Sequence, residues 1–207
     1  MRAFRVAPEG YVAGLDSTER LVLAHVVGDT AELLQSSAGA AAGAVAGWPD
    51  DPALRRLLPD ASRDEPEVSE EFRRLTQEDL VGAKVTRLVA FADLLLDDPV
   101  ARAAAGGVAP APATDVPTDL TVDRAAARDI AAAMTDVRLV LAERLDVRSD
   151  EDSERLYAAV ERGAAGDDVD DAAEEGGPRG FLGAVFVTLG WLQESLVTAM
   201  LGELRAR

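Results

Sequence analysis

The sequence predicts a mainly α fold, a single helical-bundle domain with a small N-terminal β-hairpin. Three observations carry that expectation. Residues 181–204 read FLGAVFVTLGWLQESLVTAMLGEL, apolar all round in the first turns. Three further long segments place apolar residues at helical spacing, and strand-like alternation is confined to residues 3–15. A chain of 207 residues can bury a proper core, and no one segment is apolar enough to do so alone. It is therefore read as one domain over 1–207, with flexible linkers at about 36–50, 98–119 and 163–180.

At the amino end, Phe4 to Val6 and Tyr11 to Leu15 flank the turn formers Ala7-Pro8-Glu9-Gly10, the pattern of a hairpin. A lone hairpin is marginal in water, so it must lean on the helices. Asp16 or Ser17 suits the N-cap of a helix whose apolar face holds Leu21, Val22, Val26, Leu33 and Leu34, through about Gln35. Asp51-Pro52-Ala53-Leu54-Arg55-Arg56-Leu57-Leu58-Pro59 predicts a helical turn or two between prolines, pinning Leu54, Leu57 and Leu58 on the core. Residues 67–75 predict a short helix and 77–96 a long one, with Leu80, Val81, Val85, Leu88, Ala92 and Leu95 at helical spacing. The prolines of 99–119 predict a loop. Thr121 is the expected start of a helix through Leu145, with Ile130, Met134, Val137, Leu141 and Leu145 on one face. Residues 148–177 are acidic, with a helical pattern around 154–162.

The last helix must be buried, since each of its large apolar side chains is worth roughly 1.5–3 kcal/mol when removed from water. Phe181, Val185, Phe186, Leu189, Trp191, Leu192 and Leu196 are its core or interface residues, and the alternatives are a central bundle helix or a subunit contact, such as a homodimer. A membrane span is disfavoured, because the uninterrupted apolar run ends at Gln193 and Glu194, short of the roughly 18–20 residues a bilayer requires.

Composition narrows the chemistry. There is no cysteine, which removes disulfides, thiolate metal sites and thiol switches. The single histidine, His25, lies four residues before Asp29, the spacing of an ordinary surface pair, so no serine or threonine nucleophile has an evident base. The clusters Asp150-Glu151-Asp152 and Asp167-Asp168-Val169-Asp170-Asp171 lack the turn glycine and closing glutamate of a calcium loop. Neither common nucleotide fingerprint occurs. The expectation is a non-enzymatic protein without cofactor or metal. A carboxylate-based metalloenzyme is the minor rival, to be revived by stoichiometric bound metal.

The formal charge is −17, and eleven acids against two bases between Asp150 and Glu175 supply −9 of it. Such a chain repels nucleic acid and anionic membrane and favours basic protein partners. Leu23-Ala24, Val27-Gly28 and Leu34 faintly echo a helix-turn-helix, but the segment that would read DNA carries no arginine or lysine. A better electrostatic candidate is a basic patch of Arg55, Arg56, Arg73, Arg74, Lys84 and Arg87, should folding assemble it. Asp136, Arg138 and Glu194 lie on the two most apolar helices and are expected to form a structural charge network. The opening MRAFRVAPEGY has no apolar stretch of the secretory kind, so a cytoplasmic location is expected.

Several runs together resemble an actinobacterial family of oxidative-stress transcriptional regulators (AosR-like), long catalogued as a domain of unknown function. They are the hairpin leading into Leu15-Asp16-Ser17-Thr18-Glu19-Arg20-Leu21, then Asp51 to Asp60 with its D-P-x-L-R-R-L-L-P-D pattern, Phe72-Arg73-Arg74-Leu75, Asp136-Val137-Arg138-Leu139-Val140-Leu141, and Trp191-Leu192-Gln193-Glu194-Ser195-Leu196-Val197. The resemblance implies a helical cytoplasmic regulator, whose gene in that family often lies beside that of the Clp-protease adaptor. Without cysteine no thiol switch operates here. The expected partner is a transcription component met through protein contact, or, as the alternative, a component of Clp-dependent protein turnover; the resemblance leaves direct DNA binding open.

Overall fold

A computed structural model describes residues 1–41, 51–60, 66–97, 117–165 and 177–206. The chain forms β1 (Arg2–Ala7), β2 (Gly10–Leu15), α1 (Ser17–Ala41), α2 (Pro52–Leu57), α3 (Pro66–Leu96), β3 (Thr118–Val122), α4 (Ala127–Arg144), α5 (Asp150–Ala165) and α6 (Pro178–Ala206). The architecture is mainly α with a small antiparallel sheet, as the sequence predicts.

The sheet holds one strand more than expected. β3 pairs antiparallel with β2, Tyr11 opposite Val122 and Ala13 opposite Leu120, so the order is β1-β2-β3. Thr121 therefore lies in a strand instead of opening a helix. Asp123 begins the turn, its Oδ1 accepting from the Ala125 amide at 2.7 Å, and α4 starts only at Ala127. The extra strand supplies what a bare hairpin lacks: β2, now central, is buried at every residue. Phe4, Tyr11, Ala13, Leu15, Leu120 and Val122 join the core. On the other face an irregularity between Arg2 and Arg5 brings Arg2 over Gly14, where it reaches Asp119 at 2.9 Å.

Gly10 closes the hairpin at φ 148, and a β-carbon there would stand 2.3 Å from the Val122 carbonyl oxygen. Gly10→Ala is expected to lower stability by about 1–3 kcal/mol through backbone strain alone. A shift of the thermal midpoint below that of the parent protein checks it.

Helix boundaries follow side-chain bonding more than propensity. Asp16 and Glu19 form a reciprocal box at the start of α1, each carboxylate accepting the other's amide at 2.8 Å. α1 passes the expected linker boundary at Gln35 and runs to Ala41, with the Ser36 and Ser37 hydroxyls donating back to the carbonyls of Leu33 and Leu34. Residues 42–50 of that linker lie outside the described residues. The short and long helices expected on either side of Thr76 are one helix, α3; the Thr76 hydroxyl donates to the Phe72 carbonyl at 2.8 Å and is absorbed into the helix. Its buried face runs Val81, Lys84, Leu88, Phe91 and Leu95, while Leu80 is exposed. The expected loops at 98–116 and 166–176 are outside the described residues, and the boundaries set at 119, 163 and 180 give way to β3, α5 and α6.

α1 packs along α3, α3 on α4, and α4 on α6, with α2 against α4, α5 against α6, and α6 across β1. Asp51 caps α2 by accepting from the Ala53 amide and also receives Arg144 at 2.6 Å. Arg56 meets Glu143 at 2.7 Å. Leu54, Leu57 and Leu58 are buried, as their spacing requires.

Candidate functional site

Lys84 is the chain's sole lysine, and it stands within the buried stripe of α3. Its Nζ donates to Asp136 Oδ1 at 2.5 Å, and Arg87 donates to Oδ2 through Nε at 3.0 Å and Nη2 at 2.8 Å. Asp136, on α4, is 3% exposed. Two cations on one buried carboxylate engage both of its oxygens, so this cluster is built to fix α3 against α4 and holds no evident base for catalysis.

The expected network of Asp136, Arg138 and Glu194 is thereby corrected. Arg138 instead lies over the Phe186 ring at 4.9 Å and donates to Gln193 Oε1 at 2.9 Å. Glu194 is exposed beside β1. Of the candidate basic patch, Lys84 and Arg87 turn to Asp136, Arg56 to Glu143, and Arg55 is exposed. Of Arg73 and Arg74 only the helical backbone is described. α1 runs unbroken through Gly28, so the helix-turn-helix echo has no turn. His25 is exposed, and among the described residues no three carboxylate or histidine side chains converge as a metal site.

Asp150, Glu151 and Asp152 form the first turn of α5. Asp152 accepts from the amides of Arg148 and Ser149 and from the Ser149 hydroxyl. The Arg148 amide, followed by the Ser149 hydroxyl, holds the Asp152 carboxyl below its ordinary range. A depressed folded-state value means the cap stabilises α5 above the unfolded value and is lost as pH falls through the folded one. The protection of amides at the start of α5, taken relative to their unfolded-chain rates at the same pH, is therefore expected to fall on acidification before that of α4, and Asp152→Asn should remove the difference.

α6 divides into two surfaces. Val185, Phe186, Leu189, Leu192 and Leu196 are buried. Phe181, Trp191, Val197, Leu201 and Leu204 are exposed, so of the core-or-interface residues Phe181 and Trp191 lie outside the core of the single chain. The first half is covered by α5, where Tyr157 meets Phe186 edge to face and a β-carbon at Gly190 would stand 2.6 Å from the Tyr157 hydroxyl. The second half is tied to the sheet: the Phe4 amide donates to Ser195 Oγ at 3.2 Å, and Glu203 receives Tyr11 at 2.7 Å and Arg124 at 3.0 Å. An open groove of about 570 Å³ lies between β1 and this half, lined by Phe4, Val6, Trp191, Glu194 and Thr198 among others. By length and composition α6 could cross a membrane, with mean hydropathy 1.4 over an 18-residue window that is 33% buried. A mostly buried core helix passes the same test, and in α6 Gln193, Ser195 and Glu203 make polar ties to other elements.

The family model described as Domain of unknown function (DUF2017) matches residues 1–200. The chain belongs to this family. No curated protein and no solved structure matches it. In this DUF2017 member, two runs that carry the resemblance drawn from the sequence meet in space: Leu58, Pro59 and Asp60 at the end of α2 share a shallow notch with Ser69, Phe72, Thr76, Gln77 and Leu80 of α3. Nothing in the linear pattern joins them. The exposed α6 face was concealed for a related reason, since a helix apolar all round gives no sign of which side its neighbours leave open.

Proposed function

We propose that this protein is a non-enzymatic cytoplasmic regulator, akin to oxidative-stress transcriptional regulators, that acts through protein partners and without a thiol switch. The observation that carries this reading is the uncovered apolar face of α6, where Trp191, Val197, Leu201 and Leu204 are 38–69% exposed. Apolar surface of that kind on a folded protein marks a contact site. The electrostatics agree: a chain of charge −17, with Lys84 and Arg87 engaged by Asp136, favours a basic protein surface over phosphate.

Two measurements test it. Titration against the protein's own promoter region and unrelated duplex DNA, at low and physiological salt, is expected to show no promoter preference; a preference that survives added salt overturns the reading. Affinity capture from stressed and unstressed cells is expected to retain a transcription component. Retention of Clp components alone would move the role to protein turnover.

A further inference from the structure

We propose that the end of α2 and the first half of α3 form a docking site for a basic amphipathic helix of a partner protein. This rests on the reading of the chain as an interaction protein and gives that partner a chemistry. From Val81 onward α3 buries one face in the core, but over residues 66–80 Ser69 is the only buried side chain among those described. This half nevertheless carries its own apolar stripe. Val68, Phe72 and Leu75 follow at i, i+4 and i+7 and are 51%, 52% and 63% exposed. At 3.6 residues per turn the stripe lies on the opposite side of the helix from Val81, Leu88 and Leu95, so it serves no part of the core. Phe72 and Leu80 also rim the notch against Leu58 and Pro59, a seat for a side chain from an incoming helix.

Charge selects the occupant. Glu67, Glu71 and Glu78 follow one flank of the stripe, where helical spacing also puts Arg74, and residues 66–80 hold five acids (Glu67, Glu70, Glu71, Glu78, Asp79) against Arg73 and Arg74, a net of −3. Asp60 stands at the mouth of the notch. An apolar ridge flanked by lysine or arginine complements this surface. A second copy of the chain would set one acidic flank against another within a pair of −17 molecules, which opposes self-association here.

The probe is a fluorescent peptide of leucine and lysine patterned as an amphipathic helix, titrated by anisotropy at physiological salt against the full chain. The parent protein should bind it and should not bind the same pattern made of leucine and glutamate. Phe72→Ser with Leu75→Ser keeps the charge and alters only exposed positions; it should weaken binding about tenfold or more. Should that pair fail to fold, Leu75→Ser alone reads the same stripe. Equal binding by parent and variant would mean charge attraction alone and overturn the proposal, as would no binding at all. A parent dimer that the variant dissolves would overturn it in favour of a self-interface. None of these failures touches the broader reading, which stands or falls on the capture experiment.

Discussion

Asp136→Ala should lower the unfolding free energy by about 3–5 kcal/mol, the cost of stranding buried charge. The carboxylate is 3% exposed and answers Lys84 and Arg87 together, so its loss leaves an ammonium and part of a guanidinium facing each other without a counter-charge. Lys84→Ala should cost less, because Arg87 still holds Asp136 through two bonds. Replacing all three by apolar residues of similar size should recover much of the loss, since the desolvation of the ions disappears with them. Urea unfolding decides the matter: the midpoint should fall for Asp136→Ala at an unchanged slope. A loss below about 1 kcal/mol would place the cluster in water, in the range of exposed pairs.

The same cluster shows what can be read from a linear pattern. The long helices are legible because their apolar spacing survives any arrangement of neighbours. Lys84 could have been found too: it is the one charged member of the series Val81, Lys84, Leu88, Phe91, Leu95, and a lone cation on a buried stripe demands an anion. The series built on Leu80, Val85 and Ala92 hides it. Its partner is harder, for Asp136 lies 52 residues away and Glu194, on the other strongly apolar helix, is an equally eligible anion. β3 announced itself only weakly, through Leu120 and Val122 alternating with polar residues after Pro117, and Thr121 carries equal credentials as a helix cap. The third strand follows more securely from a physical need, because six consecutive buried residues in β2 require a hydrogen-bonding neighbour on each side.

Leu189→Asp is expected to abolish cooperative folding. The side chain is fully buried, so the change forfeits roughly 1.5–3 kcal/mol of burial. It also sets an unpaired carboxylate in the core, where breaking or burying a lone charge costs about 3–5 kcal/mol. Together these approach the 5–15 kcal/mol that holds a typical domain. Two positions on, Trp191→Asp should keep a cooperative transition at a moderately lowered midpoint, and Leu201→Asp likewise, because these side chains are 39% and 47% exposed and forfeit only part of their burial. The contrast within one helix separates core from contact surface, which the sequence alone leaves as alternatives for all of α6. If Leu189→Asp stays folded, α6 is not the central helix. If Trp191→Asp or Leu201→Asp unfolds, the outer face contributes to stability and the case for a partner there fails. Retained folding with loss of a captured partner would assign that face to recognition. α6 would then couple the two requirements, its inner residues holding the position in which its outer residues are read.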